Sequence, residues 1–182
     1  MPSVLASLEG EAARLTIGLL FLRYCCKVPV VQSIYDDLIL DHIKNARNYR
    51  ELPRAQRRAE GINPLCGDTF TVYLEIEGER IREAAFQCSC CGISMASASV
   101  MTQLVRERTL EEAAELVKSF TRLIRHPDEA SEEMDEERRA ILSVVRASPA
   151  RGNCAALAWH TMGAALQGRD SLVLQPESRP ED

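Results

Sequence analysis

Apolar residues recur at two spacings along the chain, and together these spacings predict an α+β domain. Every second residue from Phe70 to Ile76 is apolar, with polar residues between, which is the period of a half-buried β-strand. Gly78 predicts a turn, and the segment RIREAAF that follows predicts the partner strand of a hairpin. The segment before NPLCGD is a candidate third strand.

Helical spacing governs most of the remaining chain. Apolar residues recur at that spacing within 34–43, and Ser33 with Asp36 forms a capping-box-like pair at the start of this run. From Ile93 onward, ISMASASVMTQLV combines small and helix-compatible residues. We expect that helix to lie close against a sheet, because small side chains let the backbones approach.

The second half of the chain predicts three further helices. Thr109 and Glu112 form a capping box that opens a helix through about residue 124. A charge-dense connection leads into the next helix, which ends at the pair 148–149, a serine followed by a proline. The last helix begins near Cys154 and ends at Gly168, a residue suited to a helix C-terminus.

Composition and charge narrow the function classes. The chain has 182 residues, 46% of them hydrophobic and 27% charged, which fits one globular domain. A net charge of −5 gives no general electrostatic attraction to nucleic acid, and we predict no nucleic-acid partner. The apolar segment 15–31 is interrupted by Arg23 and Lys27 and follows acidic residues, so we expect neither a membrane span nor a signal peptide.

The cysteines point to metal or sulfur chemistry in a reducing compartment. An odd number in clustered positions does not suit a secreted disulfide framework, so we predict a cytoplasmic protein. The alternative is that these are small apolar residues of the core, as free cysteines often are. The seven are Cys25, Cys26, Cys66, Cys88, Cys90, Cys91 and Cys154.

Three of these cysteines occupy related places in the predicted elements. Cys66 lies in NPLCGD, a turn favoured by its proline and glycine, at the entrance to a strand. Cys91 and Cys154 stand where helices begin, and helix N-termini favour the thiolate. With Asp68 the set offers three sulfur atoms and one oxygen, the number of ligands in a tetrahedral zinc site.

Four stretches of the chain occur in this order: YDDLILDHIKNARN (35–48), GINPLCGD (61–68), CGISMASASVMT (91–102) and PARGNCAALAW (149–159). Together they resemble the NifU/IscU family of iron–sulfur cluster assembly proteins, and specifically its SufU branch. The resemblance covers roughly residues 34–166. It implies an α+β fold of the SufE/NifU kind, with a small three-stranded antiparallel sheet packed with helices.

The resemblance also implies a site and a reaction. Cys66, Asp68, Cys91 and Cys154 would bind Zn²⁺, and Cys66 would be the catalytic residue of a zinc-dependent sulfurtransferase. In the family, a pyridoxal-phosphate cysteine desulfurase of the SufS type forms a persulfide, and the cysteine equivalent to Cys66 accepts its terminal sulfur. A Suf cluster-assembly scaffold is then the expected recipient.

Two alternatives remain open at the level of sequence. IscU-type members are scaffolds that bind a transient [2Fe–2S] cluster, and a structural zinc domain that only mediates protein contacts is the third class. The SufU branch is favoured by a long, charged helical region between Cys91 and Cys154. It is also favoured by Asn153 where IscU proteins have a histidine, and by the absence of their LPPVK motif.

Some parts of the chain depart from the family pattern. Cys88 and Cys90 stand where relatives usually have glycines; they are either tolerated small residues, an extra ligand, or a resolving thiol able to form a disulfide. Residues 1–30 have no counterpart and are expected to be disordered or a start-site artefact, with Val31 near the true beginning. Residues 31–168 form the predicted domain, and 169–182 a loose C-terminal tail.

Overall fold

A computed structural model describes residues 35–174 of the chain. The expectations for residues 1–30, for the apolar segment 15–31 and for Ser33 fall outside the described residues. Two short 3₁₀ turns, Pro127–Glu129 and Pro149–Arg151, precede the fourth and fifth helices. In chain order the other elements are α1 (Asp37–Lys44), β1 (Arg57–Ile62), β2 (Thr69–Glu77), β3 (Arg80–Ser89), α2 (Gly92–Val105), α3 (Leu110–Arg125), α4 (Glu136–Ala147), α5 (Gly152–Leu166) and β4 (Ser171–Val173).

The four strands form one sheet in the order β3-β2-β1-β4. β1, β2 and β3 are antiparallel neighbours, which confirms the predicted β2–β3 hairpin and the candidate third strand before the turn. The prediction of three strands was wrong by one, because β4 pairs in parallel with β1. β4 lies in the segment 169–182, for which a loose tail was expected. Three residues are too few to show an alternating pattern, so the sequence carries no signal for this strand.

The end of α5 explains how the chain returns to the sheet. Gly168 has a φ of +70°, and the Arg169 N–H donates to the carbonyl oxygen of Ala164 at 2.9 Å. This is the hydrogen-bond pattern of a helix closed by a left-handed glycine. The reversal directs residues 170–174 along β1, where the Leu174 N–H donates to the Ile62 carbonyl oxygen at 2.8 Å.

The two sides of the sheet differ in what they bury. On one side, Phe70, Val72 and Leu74 of β2 join the main hydrophobic core with Phe86 of β3. On the other side, Tyr73 packs with Ala85 and Leu52 in a small cluster of its own. The helices lie on the main-core side, with α2 and α5 packed against the strands. The period-two pattern predicted the core side of β2 correctly.

Helix starts follow the predicted caps in part. The Thr109 hydroxyl accepts from the Glu112 N–H at 3.1 Å and the Glu112 carboxylate accepts from the Thr109 N–H at 2.8 Å, which confirms the capping box of α3. At α1 the N-cap is Asp36, whose carboxylate accepts from the Ile39 N–H at 2.8 Å. Within residues 35–174, no helix is long and apolar enough to span a bilayer.

Helices α2 and α5 are joined by buried polar contacts. The Ser97 hydroxyl donates to the Ala155 carbonyl oxygen at 2.7 Å, and the indole N–H of Trp159 donates to the Ser97 hydroxyl at 2.9 Å. All three residues are buried. Small side chains on both helices permit this close packing. The prediction for the segment after Ile93 concerned a sheet, and α2 does pack against β3 as well. The packing places the N-termini of α2 and α5 side by side.

Candidate metal centre

The turn that carries Cys66 is held by backbone and side-chain hydrogen bonds. The Asn63 N–H donates to the Asp68 carbonyl oxygen and the Gly67 N–H to the Asn63 carbonyl oxygen, both at 2.9 Å. The Asn63 side-chain oxygen accepts from the Leu65 N–H at 3.0 Å. Gly67 has a φ of +77°, which the predicted turn requires. Cys66 stands exposed on this held turn.

The other two predicted cysteines lie at the adjoining helix starts. Cys91 is the N-cap of α2, and Cys154 lies in the first turn of α5. Both thiols are free and partly buried. Because α2 and α5 pack against each other, these two residues approach each other across the helix pair.

Three of the four predicted donors meet at one point. One ligand atom each from Cys66, Asp68 and Cys154 lies within 4.8 Å of the other two. The sulfur atoms of Cys66 and Cys154 are 4.0 Å apart. Asp68 is buried, with only 6% of its surface exposed, although it is adjacent to an exposed turn. Cys91 is not one of these three, but its thiol is hydrogen-bonded to that of Cys154.

Ser94 connects the group to Cys91, and the sequence analysis did not identify it. Its hydroxyl donates to the Asp68 carboxylate at 2.7 Å and lies 3.3 Å from the Cys91 sulfur and 3.0 Å from the Cys154 carbonyl oxygen. It is fully buried. A serine three residues after an N-cap cysteine faces the same side of the helix, and only this spacing could have indicated it.

The thiols of Cys91 and Cys154 influence each other's ionisation. A hydrogen bond from Cys154 lowers the pKa of Cys91 to about 5, against the opposing effect of burial, and Ser94 adds to the lowering. The same interaction, with burial, raises the pKa of Cys154 above its usual range. The expectation of a favoured thiolate at both helix starts is therefore met at Cys91 only, because two adjacent thiolates repel each other.

The donor set fits zinc. Zinc binds thiolate sulfur at about 2.3 Å with tetrahedral angles, so two thiolates on one ion lie about 3.8 Å apart. The sulfur atoms of Cys66 and Cys154, 4.0 Å apart, are close to that separation. The hydrogen bond from Ser94 orients the Asp68 carboxylate, as outer-shell partners of metal ligands do. Cys91 is the nearest further thiol to complete the set.

Cys88 and Cys90 are joined by a disulfide bond. The sequence left them as tolerated small residues, extra ligands or a resolving thiol, and the structure pairs the two with each other. Cys91 keeps its free thiol as a result. The pair lies at the end of β3, directly before the start of α2.

The sequence pattern of the NifU-like N-terminal domain matches residues 34–168. This match spans most of the chain and includes every residue of the candidate centre. The chain belongs to this family.

Relatives in the family carry two kinds of name. The zinc-dependent sulfurtransferase SufU of Bacillus subtilis is 33% identical over 132 residues, which cover 72% of this chain and 88% of the relative. The iron–sulfur cluster assembly scaffold protein IscU of Thermotoga maritima is 32% identical over 141 residues, which cover 76% of this chain and 96% of the relative. Because the two identities are nearly equal, overall similarity does not choose between the two activities.

Solved structures confirm the α+β fold. A protein from Fervidobacterium islandicum, described as an iron–sulfur cluster assembly scaffold protein for the SUF system, superimposes with a TM-score of 0.63 at 31% identity. The alignment covers 73% of this chain and 96% of that one. The N-terminal part of a NifU-like protein from Brucella abortus gives a TM-score of 0.65 at 23% identity, covering 74% and 93%. The latter likeness concerns the fold alone.

Proposed function

We propose that this protein is a zinc-bound sulfur carrier of iron–sulfur cluster assembly, which accepts persulfide sulfur on Cys66 from a pyridoxal-phosphate cysteine desulfurase. The observation that carries the proposal is an exposed thiol on a held turn, within 4.8 Å of donors from Asp68 and Cys154. The zinc-dependent sulfurtransferase among the relatives supports the same assignment.

Each residue of the centre has its own part in this proposal. Cys66, Asp68, Cys91 and Cys154 would hold the zinc, which keeps thiols deprotonated without redox chemistry of its own. Asp68 and the two helix-start cysteines are buried or half-buried and serve as the lasting ligands. Cys66 is exposed and can leave the set to react.

The transfer step needs no external oxidant or reductant. The Cys66 sulfur attacks the terminal sulfur of the donor persulfide, forming a new S–S bond while the S–S bond of the donor breaks. The donor cysteine leaves as a thiolate, and Cys66 carries the persulfide. The sulfur is transferred without a change in the total number of electrons.

Exposed apolar side chains beside Cys66 suit contact with a protein donor. Leu65, next to Cys66, is 65% exposed, and Ile62 at the end of β1 is 44% exposed. Val173 of β4 pairs with Ile62 and is 61% exposed. A desulfurase that reaches Cys66 would cover this patch, and a Suf-type cluster scaffold is the proposed recipient of the sulfur.

A scaffold that binds a transient [2Fe–2S] cluster is the second candidate. The IscU relative favours it, and cysteine thiolates are the usual ligands of such clusters. Metal content and visible absorption of protein purified without oxygen separate the two. About one zinc per chain without colour supports the carrier. Iron with sulfide and thiolate-to-iron absorption would favour the scaffold instead.

Sulfur acceptance is tested with a desulfurase, cysteine and peptide mass analysis. Trypsin releases residues 59–80 as a peptide whose only cysteine is Cys66. In protein whose Cys88–Cys90 disulfide is closed, we expect this peptide to gain the mass of one sulfur atom, and we expect Cys66→Ser to prevent sulfur transfer to the chain.

A relocated thiol provides the matched control for that experiment. Ser119 is exposed on α3, outside the candidate centre, so Cys66→Ser with Ser119→Cys restores one exposed thiol at another place. We expect this double variant to accept no sulfur. If the relocated thiol accepted as much sulfur as Cys66 does in the wild type, any exposed thiol would suffice, and the proposal would be contradicted.

A further inference from the structure

The Cys88–Cys90 disulfide is not used in the proposed transfer of sulfur to Cys66. Both residues are partly buried and pack against the main core. Two cysteines that can bond to each other can also exist as a dithiol, and a dithiol gives up two electrons when it closes to a disulfide. The pair is therefore a two-electron store within the fold.

The pair lies beside the candidate metal centre. Phe70 of β2 is the partner of Cys88 and Thr69 is the partner of Ser89, and Asp68 and Cys90 are the residues directly beyond these strand ends. Cys88 lies on the same side of the sheet as its partner Phe70, and Cys90 is bonded to Cys88.

Asp68 links this pair to Cys66. Its carboxylate lies within 4.8 Å of the Cys66 sulfur and accepts from Ser94, whose hydroxyl lies 3.3 Å from the sulfur of Cys91, the residue after Cys90. Asp68 precedes Thr69, and Cys90 follows Ser89, the strand partner of Thr69. A persulfide on Cys66 extends its reach by one sulfur atom.

From this arrangement we propose that the Cys88–Cys90 dithiol reduces the persulfide sulfur on Cys66 and releases it as sulfide. The inference rests on the proposed function, since that function supplies the persulfide. It adds to that function that the sulfur leaves the protein as sulfide. Cluster sulfur is sulfide, whereas persulfide sulfur lacks two electrons, and the dithiol supplies that number.

The chemistry balances in two exchange steps. The thiol of Cys88 or Cys90 attacks the inner sulfur of the Cys66 persulfide, so the persulfide S–S bond breaks, hydrogen sulfide leaves, and a mixed disulfide forms. The second thiol of the pair then attacks that mixed disulfide. Cys66 regains its thiol and Cys88 is bonded to Cys90. A dithiol reductant of the thioredoxin class reopens the pair.

The test begins with the reduced, metal-loaded full chain and one equivalent of cysteine persulfide, a donor that does not depend on a desulfurase. We expect the wild type to release sulfide and to form the Cys88–Cys90 disulfide in equal amounts. In Cys88→Ser with Cys90→Ser, the added sulfur should remain on peptide 59–80, and sulfide release should fall by about tenfold or more.

Single variants test the route directly and also serve if the double variant fails to fold. Trypsin places Cys66 in peptide 59–80 and the cysteines of the pair in peptide 83–106. Either Cys90→Ser or Cys88→Ser should trap the mixed disulfide as a bond between these two peptides. Ser89→Ala, which changes the residue between the pair and keeps both thiols, should release sulfide like the wild type.

The outcomes are distinct from those of the proposed function. Equal sulfide release from wild type and the double variant would overturn the inference, as would equal release from Cys66→Ser, since the route passes through Cys66. A stable Cys66 persulfide in the reduced wild type would also overturn it. If cysteine persulfide loads Cys66 and yields sulfide while a desulfurase does not load it, the proposed function fails and this inference stands.

Discussion

The turn 63–68 and the starts of α2 and α5 supply ligands to one centre in opposite ways. The turn is held by its own backbone, and its cysteine, Cys66, is exposed. The helix starts are held by packing between helices, and their cysteines are half-buried in a hydrogen-bond network through Ser94. Under the proposed function, this difference means that the exposed ligand is the one that reacts and the half-buried ligands are the ones that remain.

The electrostatics of the two regions reinforce this division. A hydrogen bond from Cys154 lowers the pKa of Cys91 to about 5, which favours the thiolate at the start of α2. Asp68 belongs to both regions, because it ends the turn and accepts from Ser94 of α2. Variants that change one region and leave the other intact can test the division.

The largest effect is expected from Cys154→Ala compared with Cys66→Ala. Loss of Cys154 removes an inner donor, so the chain should lose its zinc and several kcal/mol of stability, lowering the melting temperature by about 10 °C or more. In Cys66→Ala water can take the exposed position, as in zinc sites with three protein ligands. Zinc content and thermal unfolding should be measured for both variants. Equal losses of zinc and of stability in the two variants would contradict the division between an exchangeable and a lasting ligand.

Ser94→Ala should weaken the helix-start side without removing a ligand. The Asp68 carboxylate loses its orienting hydrogen bond, and loss of such an outer-shell partner typically costs about 10- to 100-fold in metal affinity. Competition with a chelator measures the affinity. Ser119→Ala removes a serine hydroxyl from the exposed surface of α3 and should bind zinc like the wild type. Unchanged affinity in Ser94→Ala would show that Asp68 needs no support.

Gly61→Ala tests the contact that joins β1, which leads into the turn, to α5, which carries Cys154. A Cβ at Gly61 would overlap the hydroxyl oxygen of Thr161. We expect a loss of about 2 kcal/mol in the free energy of unfolding, as for other overpacked sites. Adding Thr161→Ala removes the overlapping oxygen and should restore part of the loss. Additive effects of the two changes in denaturant unfolding would disprove the contact.

Gly67→Ala should have the smallest effect on stability and a specific effect on function. No other atom lies within 4 Å of a Cβ at Gly67, so only the positive φ opposes alanine, at about 1 kcal/mol. The strained turn should also slow sulfur acceptance by Cys66. Gly78→Ala, at the β2–β3 hairpin, has the same kind of φ and open surroundings. Gly78→Ala should lose the same stability as Gly67→Ala and accept sulfur normally. If sulfur acceptance were also slowed in Gly78→Ala, the effect of Gly67→Ala would not be specific to the turn that carries Cys66.

Local sequence signals predicted much of the fold. The alternation in β2, the capping box of α3 and the close-packing helix after Ile93 all match the structure. Each depends on residues within a few positions of one another, so a single sequence is sufficient to reveal them. β4 was missed because a three-residue strand is stabilised by its pairing with β1, which lies far away along the chain.

The sequence by itself determined the turn, the helix starts and the residue types of the centre, because proline, glycine and capping residues act through local backbone geometry. Tertiary structure decided which groups meet. Packing of α2 on α5 brings Cys154 to Cys91 and Ser94 to Asp68, and strand register sets Cys88 opposite Phe70. These contacts join residues distant in sequence, and only burial of the shared core fixes them.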